Sequence, residues 1–135
     1  MAREETTVIE VNDISLGMAF IGVQAAANKK AENFRVLDLR DISGFTDFFM
    51  ICTAFSDRQV QAIADSIAIE LKEEGFTPIS LEGYREGRWV VLDYGGVVFH
   101  IFLDALRDFY KLEELWLDAK KVPIPPELYV PSTQH

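Results

Sequence analysis

At residues 46–54 the chain reads TDFFMICTA, and at residues 55–65 it continues FSDRQVQAIAD. The unbroken apolar run at residues 48–52 predicts a strand covered on both faces, and therefore a central strand of a sheet. Ser56 predicts the start of a helix, because its hydroxyl can accept from the backbone N–H of Gln59 while Gln59 reaches back in a capping box. Together they predict the first half of a β-α-β crossover.

The helix after this strand has an apolar stripe and a defined end. The stripe recurs at helical spacing and comprises Val60, Ile63, Ala64, Ile67, Ala68 and Leu71. Gly75 stands where a left-handed C-terminal cap is expected, and Phe76 can then fold back onto the last turn. Residues 78–82 read as a short strand, which is expected to run parallel to the central strand because a helix separates the two.

Further elements lie on both sides of this unit. Before it we expect a helix at residues 15–31 and a strand at residues 34–40, which a short link pairs antiparallel with the central strand. After it we expect strands at residues 88–94 and 97–102 and a helix at residues 107–117. The sequence thus predicts a single domain of the α/β (α+β) class, with a mixed five-stranded sheet flanked by helices.

Gly95 and Gly96 suit a two-residue hairpin turn, which fixes the register of the two strands that it joins. One face of this hairpin then carries Val90, Leu92, Tyr94, Val97, Phe99 and Ile101. The other carries Trp89, Val91, Asp93, Val98, His100 and Phe102. We assign the first face to the core and expect the second, called the mixed face below, to be partly wet or to meet a partner.

Composition limits the classes of function. The chain has 135 residues, of which 49% are apolar, and a net charge of −9. This charge argues against binding driven by nucleic-acid phosphates, which needs clustered Lys and Arg, but it is compatible with a basic protein partner. Cys52 is the only cysteine, and we interpret it as a buried side chain in a reducing compartment rather than a catalytic thiol. No apolar run approaches the roughly 20 residues of a membrane span, and no secretory signal is expected.

We divide the chain into a flexible N-terminus at residues 1–12, a folded domain at residues 13–122 and a proline-rich tail at residues 123–135. The prolines of the tail are Pro123, Pro125, Pro126 and Pro131. They predict an extended segment that cannot hold a helix and contributes little folding energy.

Two patterns could carry chemistry. Asp93 and His100 are diagonal neighbours in the hairpin register and could form an acid–base pair, although no nucleophile accompanies them; a structural role is the alternative. The predicted sheet also fits a nucleotidyltransferase-like fold, whose catalysis needs two close carboxylates for Mg²⁺, whereas Asp47 stands alone. We therefore predict no catalytic group, no metal site and no cofactor, and keep an enzyme acting on nucleotides or RNA as the alternative.

Three large aromatic side chains are the best candidates for partner contact: Trp89, Tyr110 and Trp116. Trp89 is favoured because it lies on the mixed face. For Trp116, which has Leu112 and Leu115 beside it, the core and a partner are equally good interpretations.

Many ordered blocks of the chain, from about residue 15 to residue 122, resemble the ribosomal silencing factor family, RsfS/Iojap. They are VLDLR at 36–40, TDFF at 46–49, ICT at 51–53, Ser56 with RQV at 58–60, EG at 82–83, WVVLDYG at 89–95, VV at 97–98, HIF at 100–102, and Arg107 with FY at 109–110, LE at 112–113 and LW at 115–116. One departure is the hairpin turn, where the family usually has Gly-Asp and this chain has Gly95-Gly96.

The resemblance implies a function. Members of the family bind the large ribosomal subunit through its protein number fourteen, block joining of the small and large subunits, and repress translation in starvation or stationary phase. It also implies a protein that is often a homodimer, with a nucleotidyltransferase-related fold that lacks catalytic groups. The lone cysteine fits a cytoplasmic protein, and the net charge argues against direct sequence-specific binding of nucleic acid. The residues that we expect to bind the ribosomal partner are Trp89, Asp93, His100, Phe102, Arg107, Tyr110 and Trp116.

Overall fold

The structure, a computed structural model, describes residues 13–42, 44–106 and 119–129. Its helices are α1 (Ile14–Ala27), α2 (Asp57–Glu73) and α3 (Pro126–Tyr129), and residues 104–106 are also helical. Its strands are β1 (Glu32–Asp38), β2 (Phe48–Ala54), β3 (Ser80–Glu82), β4 (Trp89–Asp93), β5 (Val97–Leu103) and β6 (Lys120–Lys121). The N-terminus at residues 1–12 and the predicted helix at residues 107–117 lie outside the described residues.

The strands form one mixed sheet in the order β3-β4-β5-β2-β1-β6. β2 and β5 pair in parallel, and all other neighbours are antiparallel. The mixed α/β fold is confirmed, and β3 runs parallel to β2 as expected, although two strands separate them. The described part of the sheet has six strands rather than five, because Lys120 and Lys121 pair with β1. Two exposed lysines carry no apolar alternation, so no pattern in the sequence predicts this strand.

The central strand and its helix form as the sequence predicts. Every residue of β2 is buried. The Ser56 hydroxyl accepts from the Gln59 N–H at 3.0 Å and caps α2. The Gln59 side chain differs from a capping box, because its Oε1 accepts from the Phe55 N–H at 2.7 Å. Its Nε2 donates to the carbonyls of Lys29 and Lys30, at 3.0 and 3.1 Å, and so ties the start of α2 to the turn after α1.

The C-terminus of α2 is closed by a Schellman motif. Gly75 has φ +94°, and its N–H donates to the Lys72 carbonyl at 2.9 Å. The Phe76 N–H donates to the Leu71 carbonyl at 2.8 Å, which completes the motif. The predicted glycine stop is therefore confirmed.

The first helix ends earlier than predicted. α1 stops at Ala27 rather than at residue 31, and β1 occupies residues 32–38 rather than 34–40. The Ala31 N–H donates to the Ala26 carbonyl at 3.1 Å, and Lys30 takes the left-handed conformation, φ 69°, that such an ending needs. A lysine at this position gives no stop signal, so the sequence pattern extended the helix too far.

Both faces of the central sheet are covered. On one face α1 and α2 pack over the apolar residues of β2, β4 and β5. The mixed face carries a second cluster, made by Leu37, Leu39, Phe49, Ile51, Val98 and Phe102. Leu106 and Ala119, which flank residues 107–118, pack against this cluster. The expectation that the mixed face is partly wet therefore fails at its centre.

The start of the predicted tail is folded onto the domain. Residues 126–129 form the short helix α3, and Ile124 and Leu128 pack against the main core. The Tyr129 ring stacks on Phe34 with 6.0 Å between ring centroids. The prediction of an extended segment that cannot hold a helix is thus wrong for residues 126–129, because proline is well tolerated in the first turn of a helix.

Within residues 13–42, 44–106 and 119–129, no helix has both the length and the apolar character needed to cross a membrane.

A chain that ends at Val122 is expected to lose about 2 kcal/mol of unfolding free energy, because the partly buried Ile124 and Leu128 are removed from the core. Urea unfolding measures this loss. Leu128→Ala should reproduce part of it, whereas Glu127→Ala, in the same turn but exposed, should have no effect. An unchanged urea midpoint for the shortened chain would show that the docked tail contributes nothing.

Gly22→Ala should destabilise the protein by about 1–3 kcal/mol, because a Cβ at this position would overlap the fully buried ring of Phe99. Gly17→Ala is the matched control in the same helix. A Cβ at Gly17 meets no atom within 4 Å, so this change should stabilise α1 by about 0.5–1 kcal/mol. Thermal unfolding of the two variants should therefore shift in opposite directions, and equal shifts would contradict the proposed packing of α1 on β5.

Candidate functional site

The β4–β5 hairpin has the register that the two-glycine turn predicts. Trp89 lies opposite Phe102, and Val91 lies opposite His100. Gly95 has φ +86°, a conformation that favours glycine. Because alternate residues of a strand share a face, Trp89, His100 and Phe102 lie together on the mixed face.

Trp89 is half-buried at the margin of this face. Its indole Nε1–H donates to Nδ1 of His100 at 3.1 Å. Its ring stacks on Phe102 with 4.9 Å between centroids and 23° between planes. The hydrogen bond to His100 and the stack on Phe102 together restrain both the tilt and the rotation of the indole.

His100 and Phe102 lie beneath Trp89, not on the surface. His100 is 6% exposed and Phe102 is fully buried. The His100 ring meets the Phe49 ring edge-on, at 4.5 Å between centroids. The prediction that this face is partly wet is wrong at these two positions, because β5 pairs with β2, whose Phe49 and Ile51 bring a continuous apolar surface to the same face.

The His100 imidazole is neutral. Burial lowers its pKa from 6.5 to about 3, because the charged form loses hydration. Since Nδ1 accepts the indole N–H, the proton of the neutral ring lies on Nε2. Among the described residues, Nε2 is buried without a hydrogen-bond partner. The imidazole therefore acts here as an acceptor rather than as an acid.

Asp93 does not pair with His100. Its Oδ1 accepts from the backbone N–H of Gly95 at 2.8 Å and so supports the hairpin turn. The hypothesis of an Asp93–His100 acid–base pair is wrong, because each side chain uses its hydrogen bond on another neighbour. Asp93 and His100 instead have structural roles, which the sequence analysis gave as the alternative to an acid–base pair.

Two residues of the site escaped the sequence analysis. Phe49 packs against the His100 ring. The apolar run of β2 could have indicated this contact only if the β2–β5 pairing had been known. Gly83 has φ +79°, and a Cβ there would overlap the Trp89 carbonyl. The lack of a side chain thus lets the β3–β4 loop pass close to the backbone of Trp89.

The carboxylates near the start of β2 are held by the protein's own groups. Arg40 contacts Asp13 at 2.9 Å and Asp38 at 2.7 Å. Its hydrogen bond lowers the pKa of Asp38. Asp47 accepts from the Ser15 hydroxyl at 3.2 Å. Across the described ranges, no three side chains of the His, Cys, Asp or Glu type are grouped as metal ligands.

The structure thus brings together four of the seven expected partner-binding residues on one hairpin: Trp89, Asp93, His100 and Phe102. The other three, Arg107, Tyr110 and Trp116, lie outside the described residues.

The chain is similar to known proteins over most of its length. The family model described as "Ribosomal silencing factor during starvation" matches residues 14–134. The ribosomal silencing factor RsfS of Halalkalibacterium halodurans is 43% identical over 104 residues, which cover 77% of this chain and 89% of that protein. The RsfS of Bacillus subtilis is 44% identical over 99 residues, with 73% and 84% covered. A crystal structure of a Chromobacterium violaceum protein superposes with a TM-score of 0.74 at 30% identity and covers 88% of this chain and 95% of that one.

Stability should depend on pH through His100. Below pH 6.5 the unfolded chain binds a proton at this position, whereas the native protein stays neutral until about pH 3. The unfolding free energy should therefore fall as the pH drops below 6.5, by about 1.4 kcal/mol per pH unit from this residue. Urea unfolding of the wild type and of His100→Phe between pH 7 and 4.5 isolates the effect of His100. The carboxylates contribute to the pH dependence of both proteins, so their contribution cancels in the difference. Parallel stability profiles for the two proteins would show that His100 is not held neutral.

Proposed function

The chain belongs to the ribosomal silencing factor family, and we propose that it is an inhibitory binding protein that occupies the large ribosomal subunit and blocks joining of the small subunit. The family match over residues 14–134 supports a function carried by the whole folded domain. The observation that carries the proposal for the site is Trp89, a half-buried indole held in one orientation at the margin of the mixed face. Large aromatic side chains of this kind commonly act as interface anchors.

The proposed partner is large-subunit ribosomal protein fourteen. A chain with net charge −9 suits a basic protein partner, because complementary charge speeds encounter and disfavours wrong partners. In this proposal Trp89 and Asp93 contact the partner from the hairpin, together with Arg107, Tyr110 and Trp116. His100 and Phe102 belong to the same site but support Trp89 from below.

We propose that the protein has no catalytic activity. An enzyme of the nucleotidyltransferase type would need two carboxylates available to Mg²⁺ near the start of β2. In this protein Arg40 joins Asp13 and Asp38, and Ser15 donates to Asp47. These contacts satisfy the carboxylates within the protein, which favours a binding role over catalysis.

The proposed action is repression of translation in the cytoplasm under nutrient limitation or in stationary phase. Steric occlusion needs no cofactor, and a protein of this size can cover a standard interface of about 800 Å² per partner. Formation of a homodimer stays a prediction.

Trp89→Glu should keep the fold and abolish both large-subunit binding and the block on subunit joining. Truncating a central interface aromatic commonly costs about 2 kcal/mol or more, and a carboxylate in its place adds an unpaired charge to the interface. The measurements are co-sedimentation with purified large subunits and sedimentation of mixed subunits.

The matched control is Ile69→Glu, which places the same charge on an exposed position of α2, on the opposite side of the sheet. This control should bind like the wild type. If Trp89→Glu is folded by circular dichroism and still co-sediments at the wild-type level, the mixed face is not the partner surface, and the segment bearing Trp116 becomes the candidate.

A further inference from the structure

His100 has a hydrogen-bonding role that partner contact does not explain. The ring is almost fully buried and is surrounded by Phe49, Phe102 and Trp89. A partner seated on the surface would meet Trp89 before it could reach the imidazole. The only described hydrogen bond of His100 joins its Nδ1 to the Trp89 indole N–H.

We propose that His100 is a positioning residue for partner binding: its Nδ1 holds the Trp89 indole against Phe102 before the partner arrives. This inference rests on the proposed function, in which Trp89 contacts the large subunit. It assigns His100 an action through Trp89 rather than a contact of its own.

The stack on Phe102 and the hydrogen bond to His100 restrain the indole in different ways. Stacking on Phe102 sets the plane of the indole, at 23° to the phenyl ring, but a ring stack by itself does not select which edge of the indole faces His100. The hydrogen bond to His100 makes this selection, because Nε1 lies on one edge of the indole only. An indole held in this way loses less conformational freedom on binding, which is the basis of preorganisation.

The choice of histidine supports the same role. A phenylalanine would fill a slot between aromatic rings without burying polar atoms, whereas a buried polar group costs free energy unless it is hydrogen-bonded. The imidazole offers an acceptor at Nδ1 that no hydrocarbon ring can supply. It also remains uncharged in the native protein, so the acceptor stays available at neutral pH.

Two substitutions of equal shape separate this role from simple packing. His100→Asn keeps an oxygen acceptor close to the position of Nδ1, whereas His100→Leu has the same branching and no acceptor. Both leave a similar space beneath Trp89. Leucine is the better tolerated of the two in a buried apolar slot, so His100→Leu should be at least as stable as His100→Asn.

The affinity of each variant for the large subunit should depend on whether residue 100 carries a hydrogen-bond acceptor, and not on the stability of the variant. We expect His100→Leu to bind about threefold to tenfold more weakly than the wild type, the loss that corresponds to immobilising one large side chain on binding. His100→Asn should bind more tightly than His100→Leu. His100→Phe, which keeps the ring volume and also lacks the acceptor, should bind weakly and replaces His100→Leu if that variant does not fold.

A second measurement needs no ribosome. The chain has two tryptophans, and the indole N–H signal that disappears in Trp89→Phe identifies Trp89 in the nuclear magnetic resonance spectrum. Its exchange with water should be slow in the wild type and in His100→Asn, and fast in His100→Leu. The nitrogen shifts of His100 at pH 7 should show a proton on Nε2 and none on Nδ1.

The outcomes separate this inference from the proposed function. If His100→Leu binds as well as His100→Asn or better, or if indole exchange is the same in both, the positioning role is wrong even where Trp89→Ala abolishes binding. If Trp89→Ala binds like the wild type, the proposed contact is wrong, and the exchange data alone then decide whether His100 holds the ring. Loss of both protection and affinity in His100→Leu, with both retained in His100→Asn, supports the inference.

Discussion

The parallel pairing of β2 with β5 is the constraint on which the other features of this protein depend. Seven consecutive residue pairs join the two strands, from Phe48 opposite Val97 to Ala54 opposite Leu103. Parallel strands need apolar cover on both faces. On one face the cover is α1 and α2, and the close approach of α1 to β5 requires the missing side chain of Gly22. On the other face the cover includes Leu106 and Ala119, at the two ends of residues 107–118.

The same pairing explains the chemistry of the mixed face. His100, in the middle of β5, lies in an apolar layer because its neighbours on β2 are apolar. A charged imidazolium would be costly in that layer. A neutral ring has one acceptor nitrogen, and the only described donor that reaches it is the indole of Trp89. The polar pair thus forms at the margin of the layer, where the half-buried indole packs on the core and remains partly accessible to the proposed partner. The site is a consequence of sheet order as much as of the residues on the hairpin.

Much of the fold could be predicted from the sequence because its signals are local. The apolar run of β2, the cap at Ser56, the stop at Gly75 and the turn at Gly95 each act within a few residues. The errors arose where tertiary contacts decide the outcome. Lys30 ends α1 without a glycine, and β6 is two charged residues held by the edge of β1. The burial of His100 depends on the neighbouring strand β2, which alternation along β5 alone cannot reveal.

The Gln59 amide has a consequence for the way the domain opens. With one side chain it satisfies the Phe55 N–H at the start of α2 and the carbonyls of Lys29 and Lys30 after α1. These groups lie just outside the two helices, where the helical hydrogen-bond ladders do not satisfy them. Because a single amide bridges the two ends of the segment that contains the β1–β2 hairpin, opening of the turn after α1 would also remove a contact at the start of α2. The turn after α1 and the start of α2 are therefore coupled through one side chain, and opening of either is expected to weaken the other.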